Sequence, residues 1–377
     1  MDLTSEQKTA RSGFRAFVAE HVSPVADRAD REQILPEGMI GRLSEAGLMG
    51  AVLSAEVGGR AFDAVTHGLL HEELGRGCSS LRSILTVHEM VALAISRWGS
   101  AEQREAYLAR MSRGEVLGAF ALSEPEAGSD ARSIRATAVE SDDGYRLTGR
   151  KQWITAGRIA DLFLVFARVG EKPSAFLVEG DAPGLSIEPI SNMLGLRAAM
   201  LARIDLDDCA ADLLGAPGAG LSHVAGTALD LGRYTVACGC VGIGQACLDA
   251  CLSYVTEREQ FGRRLREHQL IQEMVAEMIV QVDAARLMCR RAASRRDAAD
   301  PRSIMDTSVS KYFASRMALR VASDAVQIHG ARGCSAAYPV ARHFRDAKIM
   351  EIIEGSSQIQ QLLIAHQGIA AHRRSAP

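Results

Sequence analysis

The periodicity of apolar residues in this chain changes twice, and that double change limits the folds open to it more than any other feature. From residue 4 to about 114, apolar side chains recur at steps of three and four, as at Phe14, Phe17, Val18 and Val22, the period of a helix with one buried face. From about 115 to 217 the texture shifts to short runs rich in β-branched and aromatic residues. Leu-Phe-Leu-Val-Phe (162–166) and Ala-Phe-Leu-Val (175–178) are examples, set off by turn residues at 142–144, 156–157, 171–173 and 182–184. From about 221 to 371 the helical period returns, in segments near 225–256, 267–296, 302–329 and 340–367, with Pro301 and Pro339 at breaks. The expected class is α+β, mainly α: a helical domain over 1–115, a small β-barrel or sandwich over 116–220, and a helical domain over 221–377.

At 377 residues the chain has room for two or three domains and needs no disulfide staples. Hydrophobic residues make up 47% of it, and no uninterrupted apolar run approaches the ~18 residues of a membrane span, so a soluble fold with no membrane partner is expected. Lys and Arg total 43 against 46 Asp and Glu, and the net charge of -3 gives nucleic acid no global attraction. Met1-Asp2-Leu3-Thr4-Ser5-Glu6 holds no basic segment ahead of an apolar run, which points to the cytoplasm. The eight cysteines lack zinc or redox spacing and read as small buried hydrophobes. His67, His71, His88 and His329 fall in separate segments with no evident companion carboxylate, so no metal is expected.

Several segments could carry chemistry. In 120–130 a strand runs into a loop whose Ser123 and Ser129 hydroxyls sit beside backbone N–H groups, able to cradle an oxygen-rich ring or phosphate, although an ordinary Pro/Gly turn explains the composition as well. Lys-Gln-Trp-Ile-Thr (151–155) offers Trp153 either to a core or to a cofactor wall. Asp230 and Arg233 stand three residues apart on a helix, as a solvated ion pair or a polar handle for substrate. The glycines of 239–244 lie inside a helical pattern without a preceding strand, so they read as close helix packing rather than a dinucleotide fingerprint. Those of 327–333 could approach a pyrophosphate or simply stop a helix. The arginines at 290, 291, 295 and 296 read as a solvated helix face or a dock for an acidic carrier domain. Glu354 has Ile352 and Ile353 before it and Gly355 after it; an apolar setting raises a carboxyl pKa and suits proton abstraction near neutrality, while a helix-capping Glu is the plainer reading.

Taken in order and spacing, these segments resemble the acyl-CoA dehydrogenase family of flavoproteins along essentially the whole chain. The matching motifs are Leu-Ser-Glu-Pro-Glu-Ala-Gly-Ser-Asp (122–130), Gly-Arg-Lys-Gln-Trp-Ile-Thr (149–155), Leu-Asp-Leu-Gly-Arg (229–233), Glu-Arg-Glu-Gln-Phe-Gly (257–262), His-Gln (268–269), Gln-Ile-His-Gly-Ala-Arg-Gly (327–333), Arg-Asp-Ala-Lys-Ile (345–349) and Ile-Glu-Gly-Ser-Ser-Gln-Ile-Gln (353–360). The resemblance implies a helical N-terminal domain, a β-barrel, a C-terminal four-helix bundle, a dimer or tetramer, and FAD. It places Leu122 and Ser123 at the pyrimidine side of the flavin, Trp153 and Thr155 along its ring, and Ser129 between flavin phosphate and ligand. Arg258, Phe261 and Gln269 would reach the FAD of a neighbouring subunit, with Gln327, Gly330 and Gly333 at its pyrophosphate and Ser356 and Gln358 near its adenosine end. Ser356 stands where the family usually has Thr, which keeps the hydroxyl.

By the same resemblance the reaction is α,β-dehydrogenation of an acyl thioester: Glu354 takes the pro-R α-proton, its backbone N–H with a flavin ribityl hydroxyl holds the thioester oxygen, and the β-hydride goes to flavin N5. Some members carry the base at the position of Gly232, which here has no side chain. Asp230, Arg233 and Gly355 match the substrate channel, and the region from Arg82 to Met90 would lie along the acyl pocket, where Arg82, Ser83, Thr86 and His88 make it polar. The stretches 78–88, 239–243 and 348–357 look most like a branch from polyketide and antibiotic clusters. A short or oxygenated acyl group on an acyl carrier protein is therefore expected, with electron-transfer flavoprotein or another acceptor taking the electrons. The other readings are a catabolic short- or branched-chain acyl-CoA dehydrogenase, a flavin oxidase or monooxygenase of the same fold, and a non-catalytic subunit that binds a carrier protein.

Overall fold

The computed structural model describes residues 2–375. Its first part is helical: α1 (Ser5–Phe17), α2 (Ser23–Glu32), α3 (Met39–Glu45), α4 (Ala64–Gly77), α5 (Ser79–Trp98) and α6 (Ala101–Ser112). Local chemistry starts these helices. Thr4 and Ser100 accept from the backbone N–H three residues on while Gln7 and Gln103 reach back, so each capping box satisfies two donors that would otherwise be orphaned. Nearly all of α4 and α5 is buried, polar residues included, which makes this pair the inner layer of the domain.

Strands follow: β1 (Gly118–Ala121), β2 (Thr137–Ser141), β3 (Gly144–Ile154), β4 (Leu162–Val169), β5 (Lys172–Glu179), β6 (Leu185–Pro189) and β7 (Ala202–Leu214). The two apolar runs of the sequence are β4 and β5, paired antiparallel from Leu162 opposite Glu179 to Val169 opposite Lys172. The path β4-β2-β3-β7-β5 returns to β4, so the sheet closes into a barrel around Leu147, Phe163, Val165, Phe176 and Ile204. β1 adds on parallel to β4, and its C-terminal end delivers the chain to the loop at 122–130.

The last part holds α7 (Gly226–Glu257), a hairpin of β8 (Glu259–Gln260) and β9 (Arg263–Arg264), α8 (Gln269–Asp297), α9 (Ser303–His329), α10 (Pro339–Met350) and α11 (Ser357–Ser375). With the turn before it, the segment Gly220–Glu257 is long and apolar enough to cross a membrane, but it is largely buried, packed on α4, α5, α8 and α9. Glycines allow this closeness: side chains at Gly242 and Gly244 would strike the α4 backbone at Glu72 and the Met317 side chain of α9. The single helix expected near 340–367 is two helices. Glu354 and Gly355 take left-handed φ of 54° and 90° between α10 and α11, and a right-handed helix cannot pass through them.

Candidate active site

A cavity of about 590 Å³ opens where α5, α7, the barrel and the junction of α10 with α11 meet. Of the residues singled out in the sequence, Arg82, Thr86, Leu122, Ser123, Ser129, Trp153, Thr155, Arg233, Glu354, Gly355 and Ser356 all line it.

Glu354 is set by the turn that carries it. The turn's carbonyls are held from three sides: Arg233 Nε donates to Glu354 O at 3.1 Å, Lys311 Nζ donates to Gly355 O at 2.8 Å, and Gln360 Nε2 donates to both at 3.3 Å. A left-handed φ at a residue other than glycine is strained, and such strain persists where the surroundings over-determine it. The side chain keeps some surface toward the cavity, while its Oε2 is closed off and has no hydrogen-bond partner. Burial raises its pKa, and Arg233, Lys311 and Arg82 pull it back without reversing the shift. Burial likewise lowers Lys311 to about 8, against the pull of nearby Cys240 and Glu354.

The barrel wall is organised by a buried ion pair. Lys151 Nζ donates to Glu124 Oε1 at 2.7 Å and to Leu122 O at 3.2 Å, and Glu124 also accepts from the N–H groups of Arg135 and Ala136, so strand β3 and the loop at 122–130 are fastened together. Next to Lys151 the β3–β7 register slips, and in that bulge Trp153 takes φ 64° and stands 49% exposed on the cavity instead of joining the core. The hydroxyls of Ser123, Ser129 and Thr155 make no hydrogen bond among the described residues. A half-exposed indole beside three unspent hydroxyls fits a flat heteroaromatic ring with polar edges, as the flavin of FAD is.

Other expected residues lie elsewhere. Met90 is fully buried behind the cavity, with its Sδ against Gly232. Asp230 does not pair with Arg233: it is bound to Arg296, whose guanidinium also lies 5.0 Å from the Tyr234 ring centre, while Arg233 turns to the Glu354 carbonyl. Arg291 and Arg295 pair with Asp306 at 3.2 and 2.9 Å, so that helix face is tied down rather than merely solvated. Arg258, Phe261 and Gln269 cluster at the β8–β9 hairpin and the start of α8, away from the cavity, with Phe261 96% exposed. Gln327 ends α9, Gly330 takes φ 60° to stop it, and Gly333 packs against the Val326 backbone; none of the three lines the cavity. Ser356 lines this chain's own cavity, whereas Gln358 is exposed at the start of α11.

Two further expectations need correction. His67 and His71 are not without a carboxylate: both Nε2 atoms contact Glu89 of α5, at 3.0 and 2.8 Å, in a buried set that spacing along the chain cannot reveal. Seven cysteines are buried, but Cys334 is exposed, because it ends the short turn after α9.

Three family models match successive parts of the chain: the N-terminal domain of acyl-CoA dehydrogenase over residues 4–115, the middle domain over 119–209 and the C-terminal domain over 218–369. Among curated proteins the chain is 38% identical to a probable acyl-CoA dehydrogenase, YngJ, of Bacillus subtilis, over 97% of this chain and 98% of that one. It is 35% identical to the mitochondrial short-chain specific acyl-CoA dehydrogenase of Rattus norvegicus, covering 99% and 92%. Butyryl-CoA dehydrogenase from Megasphaera elsdenii superposes with a TM-score of 0.94 at 32% identity, covering 98% and 99%. FkbI, described for biosynthesis of a methoxymalonyl extender unit of a polyketide immunosuppressant, superposes at 0.87 and 32%, covering 96% and 99%.

Proposed function

We propose, on the premise that this chain belongs to the acyl-CoA dehydrogenase family, that Glu354 is the base with which it desaturates a short or oxygenated acyl thioester. Family membership makes the chain an FAD-dependent oxidoreductase acting on CH–CH bonds and an acyl-thioester dehydrogenase. The observation that carries the role of Glu354 is its place on the cavity wall with a carboxylate that accepts no hydrogen bond among the described residues, where burial makes it more basic.

The residues act as follows. Leu122, Ser123, Ser129, Trp153 and Thr155 hold the flavin against the barrel. Bound FAD supplies the acceptor for the hydride leaving the β-carbon. The Glu354 carboxylate takes the α-proton from its cavity side, and Gly232 of α7, with no side chain, offers no competing base. The Glu354 backbone N–H donates to no acceptor among the described residues and is free to hold the thioester oxygen as charge gathers there. Arg233 and Lys311, gripping the carbonyls beside it, keep the turn from relaxing.

We assign the acyl group to a carrier protein in a biosynthetic pathway, supported by the likeness to FkbI and by the polar wall of Arg82, Ser83 and Thr86. The short-chain relatives support catabolism of free CoA esters equally, and that is the second reading. We expect a cytoplasmic homodimer or homotetramer that passes electrons to an electron-transfer flavoprotein. Exposed apolar residues on the C-terminal helices and hairpin, such as Phe261, Leu270, Val280 and Leu362, favour self-association. A flavin oxidase of the same fold would instead release peroxide in air during turnover. The test is anaerobic bleaching of the flavin band by short acyl groups, each offered on CoA and on a phosphopantetheinyl carrier protein. Bleaching by carrier-bound groups alone supports the biosynthetic reading; rapid bleaching by the CoA esters returns the enzyme to catabolism.

A further inference from the structure

Arg82 carries a charge that the chain itself leaves unanswered. Its guanidinium is 1% exposed on α5 and meets only neutral partners. Nη1 donates to Thr86 Oγ1 at 3.0 Å, Nη2 donates to Ser83 Oγ at 2.6 Å and reaches Met350 Sδ at 3.8 Å, and Nε has no partner. The acids whose fields reach it are engaged elsewhere or face the cavity: Glu89 is held by His67 and His71, Asp346 accepts from the Leu196 N–H, and Glu354 is the base. A buried guanidinium without a counter-charge is costly, and such groups are ordinarily paired.

The fold nonetheless makes a place for it. A β-carbon on Gly239 of α7 would collide with Arg82 Cδ, and Thr86 is braced from behind by Thr235, hydroxyl to hydroxyl at 3.1 Å. The other cations near Glu354 are spent on its turn, Arg233 from the cavity wall on one carbonyl and the buried Lys311 on the next. Arg82 lines the same cavity as Glu354, and no acid of the described residues is bonded to its guanidinium.

We propose that Arg82 receives a carboxylate carried by the acyl chain, so that the substrate is the mono-thioester of a short dicarboxylic acid. This rests on the dehydrogenase reading of the cavity, which fixes the thioester end at Glu354. A carboxylate answers the charge by a charge-assisted contact with the edge of the guanidinium that lines the cavity. A methyl end would bury against a bare charge, and a hydroxyl would meet one donor and leave the charge unpaired. The far carboxylate takes no part in the bond changes: the α-proton goes to Glu354, the β-hydride to bound FAD, and the carbon–carbon double bond forms between them.

The test compares succinyl, glutaryl and adipyl thioesters with butyryl, pentanoyl and hexanoyl thioesters on the flavin-loaded enzyme, all on the same carrier. The kcat/KM for anaerobic flavin reduction should favour the dicarboxylic member of the best-matched pair by about a hundred-fold or more. Arg82→Met should cut that ratio by about a hundred-fold, and Arg82→Lys should retain part of it. Calorimetry on Glu354→Gln, which cannot take the proton, should show glutaryl-CoA binding more tightly than pentanoyl-CoA, a difference lost when Arg82→Met is added. Should Arg82→Met fail to fold, the ratio in the natural chain still decides. Neutral thioesters reducing the flavin as well as dicarboxylic ones, or a ratio unmoved by Arg82→Met, would overturn the proposal and leave the dehydrogenase reading standing. Failure of every thioester to bleach the flavin would overturn both.

Discussion

The Glu354 carboxylate rests against the bare backbone of Gly232, so closely that a β-carbon there would lie 2.8 Å from its Oε2 and 2.8 Å from Met90 Sδ. Gly232→Ala must therefore push the base away from the position it now holds. Since a displacement of about 1 Å can cost a hundred-fold in rate, kcat for thioester-driven flavin reduction should fall by about that factor while FAD is retained. A variant as fast as the natural chain would show that the carboxylate has slack in this wall.

Glu354→Gln should abolish bleaching and keep the yellow colour. It should also leave the melting temperature at pH 7 unchanged or higher. The folded-state pKa of Glu354 is raised by burial above the ordinary 4.5, so ionisation near neutrality works against folding, and the neutral amide removes that burden. The same shift sets the pH dependence: kcat/KM should rise as Glu354 loses its proton, with a midpoint above 4.5. A melting temperature several degrees lower in the Gln variant would contradict this.

Acid should unfold the protein through the α4–α5 layer. Burial lowers His71 and His88 to about 4, against 6.5 in an unfolded chain, so the unfolded state binds more protons between those values. Their contribution is complete above about 6.5 and is lost as pH falls toward 4. Glu89, which burial raises but His67 and His71 bring down to about 2, extends the loss between 4.5 and 2. Urea midpoints taken at pH 7.5, 6, 5 and 4 should fall steadily; a flat series would remove these groups from the account.

Lys151→Met should strip the buried Glu124 of its counter-charge at a cost of about 3–5 kcal/mol, and it should loosen the loop that presents Leu122, Ser123 and Ser129. Two readouts are expected together, a lower denaturant midpoint and faster release of FAD on dilution. Loss of stability without any change in FAD release would mean that the ion pair does not position the loop.

The order of helical, stranded and helical regions was legible because each period repeats over tens of residues, and β4 and β5 coincide with the two apolar runs. What stayed hidden was long-range. Lys151 and Glu124 are 27 residues apart, His71 and Glu89 are 18, and Asp230 finds Arg296 at 66 rather than Arg233 at three. No spacing rule reaches so far, because these pairs are made by the packing of separate elements. The break between α10 and α11 was masked for another reason: Ile349, Ile352, Ile353 and Ile359 keep an almost helical period across it, and Gly355 alone signals the turn.

Gly232, Thr235 and Gly239 stand at i, i+3 and i+7 of α7 and so share one face of it. The first gives space to the proton-abstracting carboxylate, the second backs the hydroxyl under the guanidinium, and the third admits the arginine stem. At about 1.5 Å per residue, some ~4.5 Å of rise separates the first mark from the second. The helix thus serves as a graduated rule laid beside the acyl chain: a substrate is measured by it, a few carbon–carbon bonds being the span it reads. One residue inserted between these marks would turn the later ones by about 100° around the axis, and the scale would no longer face the molecule it gauges.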